Sequence, residues 1–249
     1  MTIEMISALV CLMVATSLIS GVFGMAGGLI LMSVLLSLLP VPETMALHAV
    51  TQIASNGWRA VLWRRHVHWR SAIIFLMGGL IVFGLWTLSR YVPSKPVAFL
   101  LLGASPFVAR AIPEGLRPNP ASLPNGMTYG GGCMALLLLT GVSGPLVDTY
   151  FLGGALDRRE IVATKAVCQI VGHLLKLAYF GGLVGASAAL DPRMALFAVL
   201  ASMVGTTLAR PVLERLTDTQ YRAWANRLIT LISVVFLIQA VFFFLAPNE

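Results

Sequence analysis

Charge is what this chain of 249 residues has least of. Only 10 acidic and 17 basic side chains are present, 11% of the total, against about 25% in a soluble domain. With 58% hydrophobic residues and a mean hydropathy of +0.87, that scarcity excludes a soluble globular protein and leaves an integral membrane protein. Cysteine is scarce too. Cys11, Cys133 and Cys168 are odd in number, lie in apolar stretches and lack metal-ligand spacing, so neither a disulfide framework nor a zinc site is expected and all three read as packing residues. There is no His-Glu-x-x-His, no Gly-x-Ser-x-Gly and no pair of aspartates in the apolar segments, which removes the usual intramembrane enzymes. No catalytic residue, metal or cofactor is therefore expected. A basic leader is also missing: Glu4 stands just before the apolar run that begins at Met5, so that run reads as a retained segment, not a signal peptide. The pI of about 9.8 comes from basic residues placed between apolar stretches. It points to loops beside anionic lipid heads and not to a nucleic-acid surface.

What is there is apolar length with punctuation. Six clear spans are expected at roughly 43–62, 71–90, 96–112, 160–182, 193–211 and 226–246, each near the ~20 residues that cross a bilayer. Two further stretches, 5–39 and 128–156, are apolar but interrupted by small, helix-breaking residues, Gly21 to Gly28 in the first and Gly141-Val142-Ser143-Gly144-Pro145 in the second. As one helix, the first would be roughly 50 Å long, too long for a ~30 Å hydrocarbon core, so it must bend, break or turn back. Pro113, Pro118, Pro120 and Pro124 exclude regular helix between the halves. The division expected is a first membrane repeat at 1–112, a Pro-rich linker at 113–127 and a second repeat at 128–249.

Charge orients these spans. The segment Arg64-Arg65-His66-Val67-His68-Trp69-Arg70 is the most basic short loop and is expected in the cytoplasm. If each broken stretch is a re-entrant hairpin followed by three crossings, Arg158, Arg159, Arg210, Arg215, Arg222 and Arg227 fall on the same side, with Arg90 and Lys95 as the exception. An odd number of crossings then gives the halves opposite orientations, an inverted repeat. Counting each broken stretch as a full span gives a parallel repeat instead and splits the basic loops between both sides.

The repeat is visible in the residues. Ala49-Val50-Thr51-Gln52-Ile53 reads against Ala166-Val167-Cys168-Gln169-Ile170, and the same polar stripe follows: Gln52, Asn56 and Arg59 in one, Gln169, His173 and Lys176 in the other. The spacing i, i+4, i+7 puts each set on one helix face. Such side chains are costly in lipid, so a duplicated stripe points to a paired anion site; for any single amide, helix-to-helix hydrogen bonding is the plain alternative. Arg59, near the end of its span, can also snorkel to the interface. At the breaks, Gly24, Gly27, Gly28, Ser143 and Gly144 let backbone approach a ligand, and the N-terminus of the half-helix beyond favours negative charge. Asp148 is the one acid deep in an apolar stretch. It can pair with Lys176, cap its helix, or carry a proton; His173 is the other candidate proton carrier.

Paired glycine-rich breaks, an Ala-rich helix after each, a basic loop after the first such helix and the chain length together resemble the TauE/SafE sulfite exporters, the four-toluene-sulfonate uptake permease family. Gly21, Gly24, Gly27 and Gly28 match its first glycine motif, while Pro145-Leu146-Val147-Asp148 departs from the second. The resemblance implies an all-α, polytopic protein of two related halves in the bacterial inner membrane. It also implies a secondary transporter, usually an exporter, of sulfite or an organosulfonate. A passive anion channel, a carrier of another small carboxylate or oxyanion, and a substrate-free membrane anchor are the competing readings. The partners expected are a small anionic substrate, lipid and, as a coupling ion, protons.

Overall fold

A computed structural model describes residues 3–23, 26–111, 119–120, 122–152, 156–184 and 192–245. Among these residues every regular element is helical: α1 (Ile3–Phe23), α2 (Ala26–Leu38), α3 (Val41–Leu62), a 3-10 turn at Arg64–His66, α4 (Trp69–Trp86), α5 (Lys95–Arg110), α6 (Leu123–Thr140), α7 (Gly144–Leu152), α8 (Arg158–Leu177, wound on as a π-helix through Ala178–Val184), α9 (Pro192–Arg215) and α10 (Asp218–Leu245). All six stretches expected to span are helical, as α3, α4, α5, α8, α9 and α10, although α5 is short and α3 is not among the long apolar helices. Five helices, α1, α4, α8 with its extension, α9 and α10, are long and apolar enough to cross a membrane. This is a multi-pass membrane protein. α6 begins at Leu123, five residues before the expected boundary, because Pro124 sits in its first turn, where a missing N–H costs no helix bond.

Both interrupted stretches turn back on themselves. α2 returns along α1, with Leu31 and Leu35 packed on Met13 and Leu9. The approach is so close that a Cβ on Gly27 would strike the Thr16 carbonyl. α7 returns along α6, stacking Tyr150 on Tyr129 with ring centroids 5.5 Å apart. That second turn is made by Gly141 at φ 81°, a left-handed conformation that glycine adopts without a Cβ penalty; its N–H closes on Leu137 O at 2.8 Å and ends α6. Gly24, between α1 and α2, lies outside the described residues.

Helix pairing follows the duplication. If α1–α5 are exchanged for α6–α10 in order, the α1·α9 pair becomes α6·α4, α3·α9 becomes α8·α4 and α2·α10 becomes α7·α5, while α3·α8 and α5·α10 map onto themselves; all these pairs are in contact. The α4·α6 crossing is made by glycines: a Cβ on Gly130 would meet Phe75 O, and one on Gly78 would meet Met127 O, the close small-residue approach that lets helices associate in lipid. α3 and α8 run antiparallel. At one end Trp63 packs on Val162 and Ala163; at the other, Lys176 reaches His48.

Apolar side chains cover the outside as well as the core, and polar ones are buried among them. Leu196, Leu200, Val204 and Leu208 form an exposed apolar stripe along α9, as do Leu231, Val235, Ile238 and Phe242 along α10, whereas His48, Asn56, Arg59, Lys165 and Lys176 are at most 1% exposed. Lipid is the solvent for the outer surface, so the hydrophobic effect does not sort these helices. Packing, hydrogen bonds and the cost of polar groups in hydrocarbon do so.

Candidate functional site

The two polar stripes meet in the antiparallel α3·α8 pair, and each is longer than the sequence pattern suggested. His48 lies one helical turn before Gln52, and Lys165 one turn before Gln169, so the full sets are His48, Gln52, Asn56 and Arg59 against Lys165, Gln169, His173 and Lys176. All eight are buried, from 0% to 8% exposed. His48 and Lys165 occupy equivalent repeat positions but are different residue types. A search for matching letters passes over them, whereas extending the stripe by one turn in both helices finds them.

At one end the stripes build a cationic cluster. Lys176 Nζ donates to Gly141 O at 2.9 Å, at the second break, and lies 2.9 Å from His48 Nδ1. His48 Nε2 is 2.9 Å from Gly28 O. A carbonyl can only accept, so Nε2 carries the proton and Nδ1 is left to accept from Lys176. The His173 ring stands 5.5 Å from that of His48. Lys176 thus donates to two neutral acceptors, and among the described residues no carboxylate lies within ion-pair distance of it.

At the other end Lys165 forms an ion pair with Asp148, the two side chains being 0% and 5% exposed. This corrects the expected Asp148–Lys176 pair: Asp148 lies one turn and more beyond the α6–α7 turn, while Lys176 lies beside the turn itself. Asp148 does not cap α7, which begins four residues earlier. Arg59 does not snorkel. It is 1% exposed and donates to Asn56 Oδ1 at 3.1 Å, and its charge is felt at Lys165. Asn56 in turn donates to Gln52 O at 2.8 Å, and the Gln52 amide lies over Gly28, whose Cβ would meet it at 3.2 Å. Gln52, Asn56 and Arg59 are thus linked along the first stripe, while His48 turns to Gly28 O and Lys176.

The second stripe is open. Gln169 Oε1 and His173 Nδ1 are buried without a hydrogen-bond partner. Both residues, with Ser143, line a cavity closed by Phe75, Cys133 and Leu137, whose volume open to the centre of a water-sized sphere is about 20 Å³. That is room for roughly one water. Gly144 opens α7 and is buried, and Pro145 has no N–H. Leu146 and Val147 both donate to Ser143 O, at 3.1 and 3.0 Å. The helix terminus therefore keeps little donor capacity, and side chains supply the rest. The arrangement is one imidazole and one amide on the wall of a small, mostly apolar cavity, with the Lys176 ammonium one turn further along α8 at the backbone turn. It offers hydrogen-bonding groups and positive charge to an anion.

The sequence model of the family described as sulfite exporter TauE/SafE matches residues 8–236, a range that takes in both hairpins and both stripes. The chain belongs to the TauE/SafE sulfite exporter family. Its members are membrane transporters, and membership places a sulfur-containing anion as the class of solute moved. No curated protein and no solved structure matches the chain.

Proposed function

We propose that the protein exports a small sulfur oxyanion, sulfite or an organosulfonate, across the bacterial inner membrane, and that the anion binds beside Lys176, His173 and Gln169 at the second backbone turn. The observation that carries this reading is Lys176: an ammonium buried in the membrane core with only neutral acceptors, next to two polar groups whose hydrogen-bonding capacity is unused. A buried charge without a counter-charge costs several kcal/mol, and an anion in the adjacent cavity removes that cost. Gln169 can turn its amide to present N–H₂, and His173 can donate from Nδ1 in the alternative tautomer. Gly27 and Gly28 serve the site indirectly, by letting α2 lie against α1 and the Gln52 amide, and Gly28 by holding His48 through its carbonyl.

The halves are best read as an inverted repeat, 1–112 against 128–249. Equivalent helices α3 and α8 run antiparallel, as do α5 and α10, where Phe99 stacks on Phe243 and Gly103 meets Leu237. A two-fold that reverses helix direction lies in the membrane plane. The cavity is too small for sulfite, so loading requires the α6–α7 hairpin to move against α8, and the pseudo-symmetric movement of α1–α2 against α3 opens the opposite side. Asp148 neutralises Lys165, so of the two buried lysines of α8 it is Lys176 that is left to define the anion position.

Thermal unfolding of the purified protein with sulfite, an alkanesulfonate, sulfate and acetate tests the assignment. Binding to the folded state at a hundredfold excess over Kd stabilises it by about 2.7 kcal/mol. We expect sulfite or the sulfonate to raise the midpoint and acetate to leave it unchanged. Stabilisation by acetate alone, or none by any sulfur anion, would remove the assignment.

A further inference from the structure

The end of the bundle that carries the basic loop holds a second, separate site. There Trp63, which follows α3, is buried and two guanidinium groups, those of Arg159 and Arg210, each lie 5.8 Å from its ring centroid. Arg64 and Arg65, from the turn after α3, complete the wall, and together with Glu214 these residues line an open pocket of about 340 Å³. Four arginines thus face one carboxylate, and that carboxylate is already held by Arg210 at 3.1 Å. Among the described residues, Arg64, Arg65 and Arg159 have no acid within ion-pair distance.

Ordinary helix electrostatics do not account for this placement. Arg159 sits in the first turn of α8, where the helix dipole disfavours a cation. Its neighbour Arg158 is neutralised by Asp218 at 2.9 Å, and the dipole of α8 is already served by the Asp157 and Glu160 capping box. Arg159 instead turns toward Trp63 and the pocket. Guanidinium forks match phosphate oxygens in planar, two-point fashion, and an indole at a span end is at home among lipid headgroups. Basic pockets between spans at this level suit anionic headgroups.

We propose that this pocket binds the phosphate group of an anionic membrane lipid, held by Arg159 and Arg210 beside Trp63 and by Arg64 and Arg65. The site lies outside the buried stripes and does not depend on the identity of the transported anion.

Retention of lipid by the purified protein, read by native mass spectrometry from mixed phosphatidylglycerol and phosphatidylcholine micelles, tests it without any transport assay. Wild type retains phosphatidylglycerol preferentially. The double variant Arg159→Gln/Arg210→Gln loses that preference by about 30-fold, the contribution of two arginines near an anionic surface. The control Arg70→Gln/Arg215→Gln removes equal charge from two exposed positions that do not line the pocket and keeps the preference. Trp63→Leu, which keeps every charge, weakens it. Equal loss in the pocket and control variants means diffuse attraction and overturns the proposal, as does undiminished retention in the pocket variant. Complete displacement of the lipid by soluble glycerol phosphate at equal concentration overturns the assignment to a lipid.

Discussion

The two buried lysines of α8 look alike in sequence and should behave oppositely when removed. Lys165 is 0% exposed and its partner Asp148 is 5% exposed. Lys165→Met therefore strands a carboxylate in the membrane interior, a loss of about 3–5 kcal/mol. By the scaling for soluble chains of 150–250 residues, that is a fall in Tm of about 6–20 °C. Replacing both members, Lys165→Met with Asp148→Leu, removes the stranded charge and returns stability close to wild type, since a buried pair exchanged for apolar residues is often neutral. Lys176→Met differs in sign. It deletes a charge that only His48 Nδ1 and Gly141 O accept from, so Tm stays level or rises, while sulfite flux in proteoliposomes is abolished. Thermal unfolding in detergent and flux from loaded vesicles read both effects. A Lys176→Met protein as unstable as Lys165→Met, or one that transports normally, would refute the claim that Lys176 is the charge held for the substrate.

His48→Ala removes the acceptor that orients Lys176 and should lower flux by about tenfold or more, the scale of a lost hydrogen bond to a charged group, with expression unchanged; normal flux would show that His48 only fills space. Gly130→Val places side-chain atoms on Phe75 O in the α4·α6 crossing, and a loss of about 1–3 kcal/mol or more from overpacking is expected in thermal unfolding. Gly141→Ala combines a positive φ with a collision against Met32; the left-handed conformation alone costs about 1–2 kcal/mol, and flux should fall with stability. For orientation, a cysteine at exposed Ser89 should label from the face opposite to one at exposed Arg65. Labelling of both from the same face would reject the crossing count between them.

Much of this was legible because a membrane forces sequence and structure to agree over long runs. Runs of ~20 apolar residues leave few alternatives in hydrocarbon, so all six expected stretches are helical, five of them within about five residues of their expected limits and α10 starting eight residues early at Asp218. Gly141-Val142-Ser143 marked a turn because only glycine takes φ 81° without strain and because α6 cannot pass through Pro145 as an unbroken helix. Pro124 was misjudged. Proline forbids the interior of a helix but suits its first turn, and from sequence alone those positions look the same until the cap is located.

The stripe residues themselves were read from spacing, yet their partners were not. Asp148 lies 17 residues from Lys165 and 28 from Lys176, and nothing in the linear chain says which of the two the α6–α7 hairpin brings to it. Arg59 near a span end has a plain interfacial option in sequence. Only the packing of α8, α9 and Tyr221's helix α10 around that end denies it access to water.

What the amino-acid order determined alone was the solvent and the symmetry: apolar runs too long for a soluble core, and a twice-written polar face that duplication carried into both halves. What the tertiary structure decided was the division of labour between the copies. The antiparallel contact of α3 with α8 brings His48 to Lys176, the α6–α7 hairpin neutralises Lys165 with Asp148, and Lys176 is left among neutral acceptors. That outcome depends on which carboxylate and which carbonyl a hairpin places within 3 Å of an ammonium, a distance set by how the α6–α7 hairpin packs on α8 and not by any local pattern.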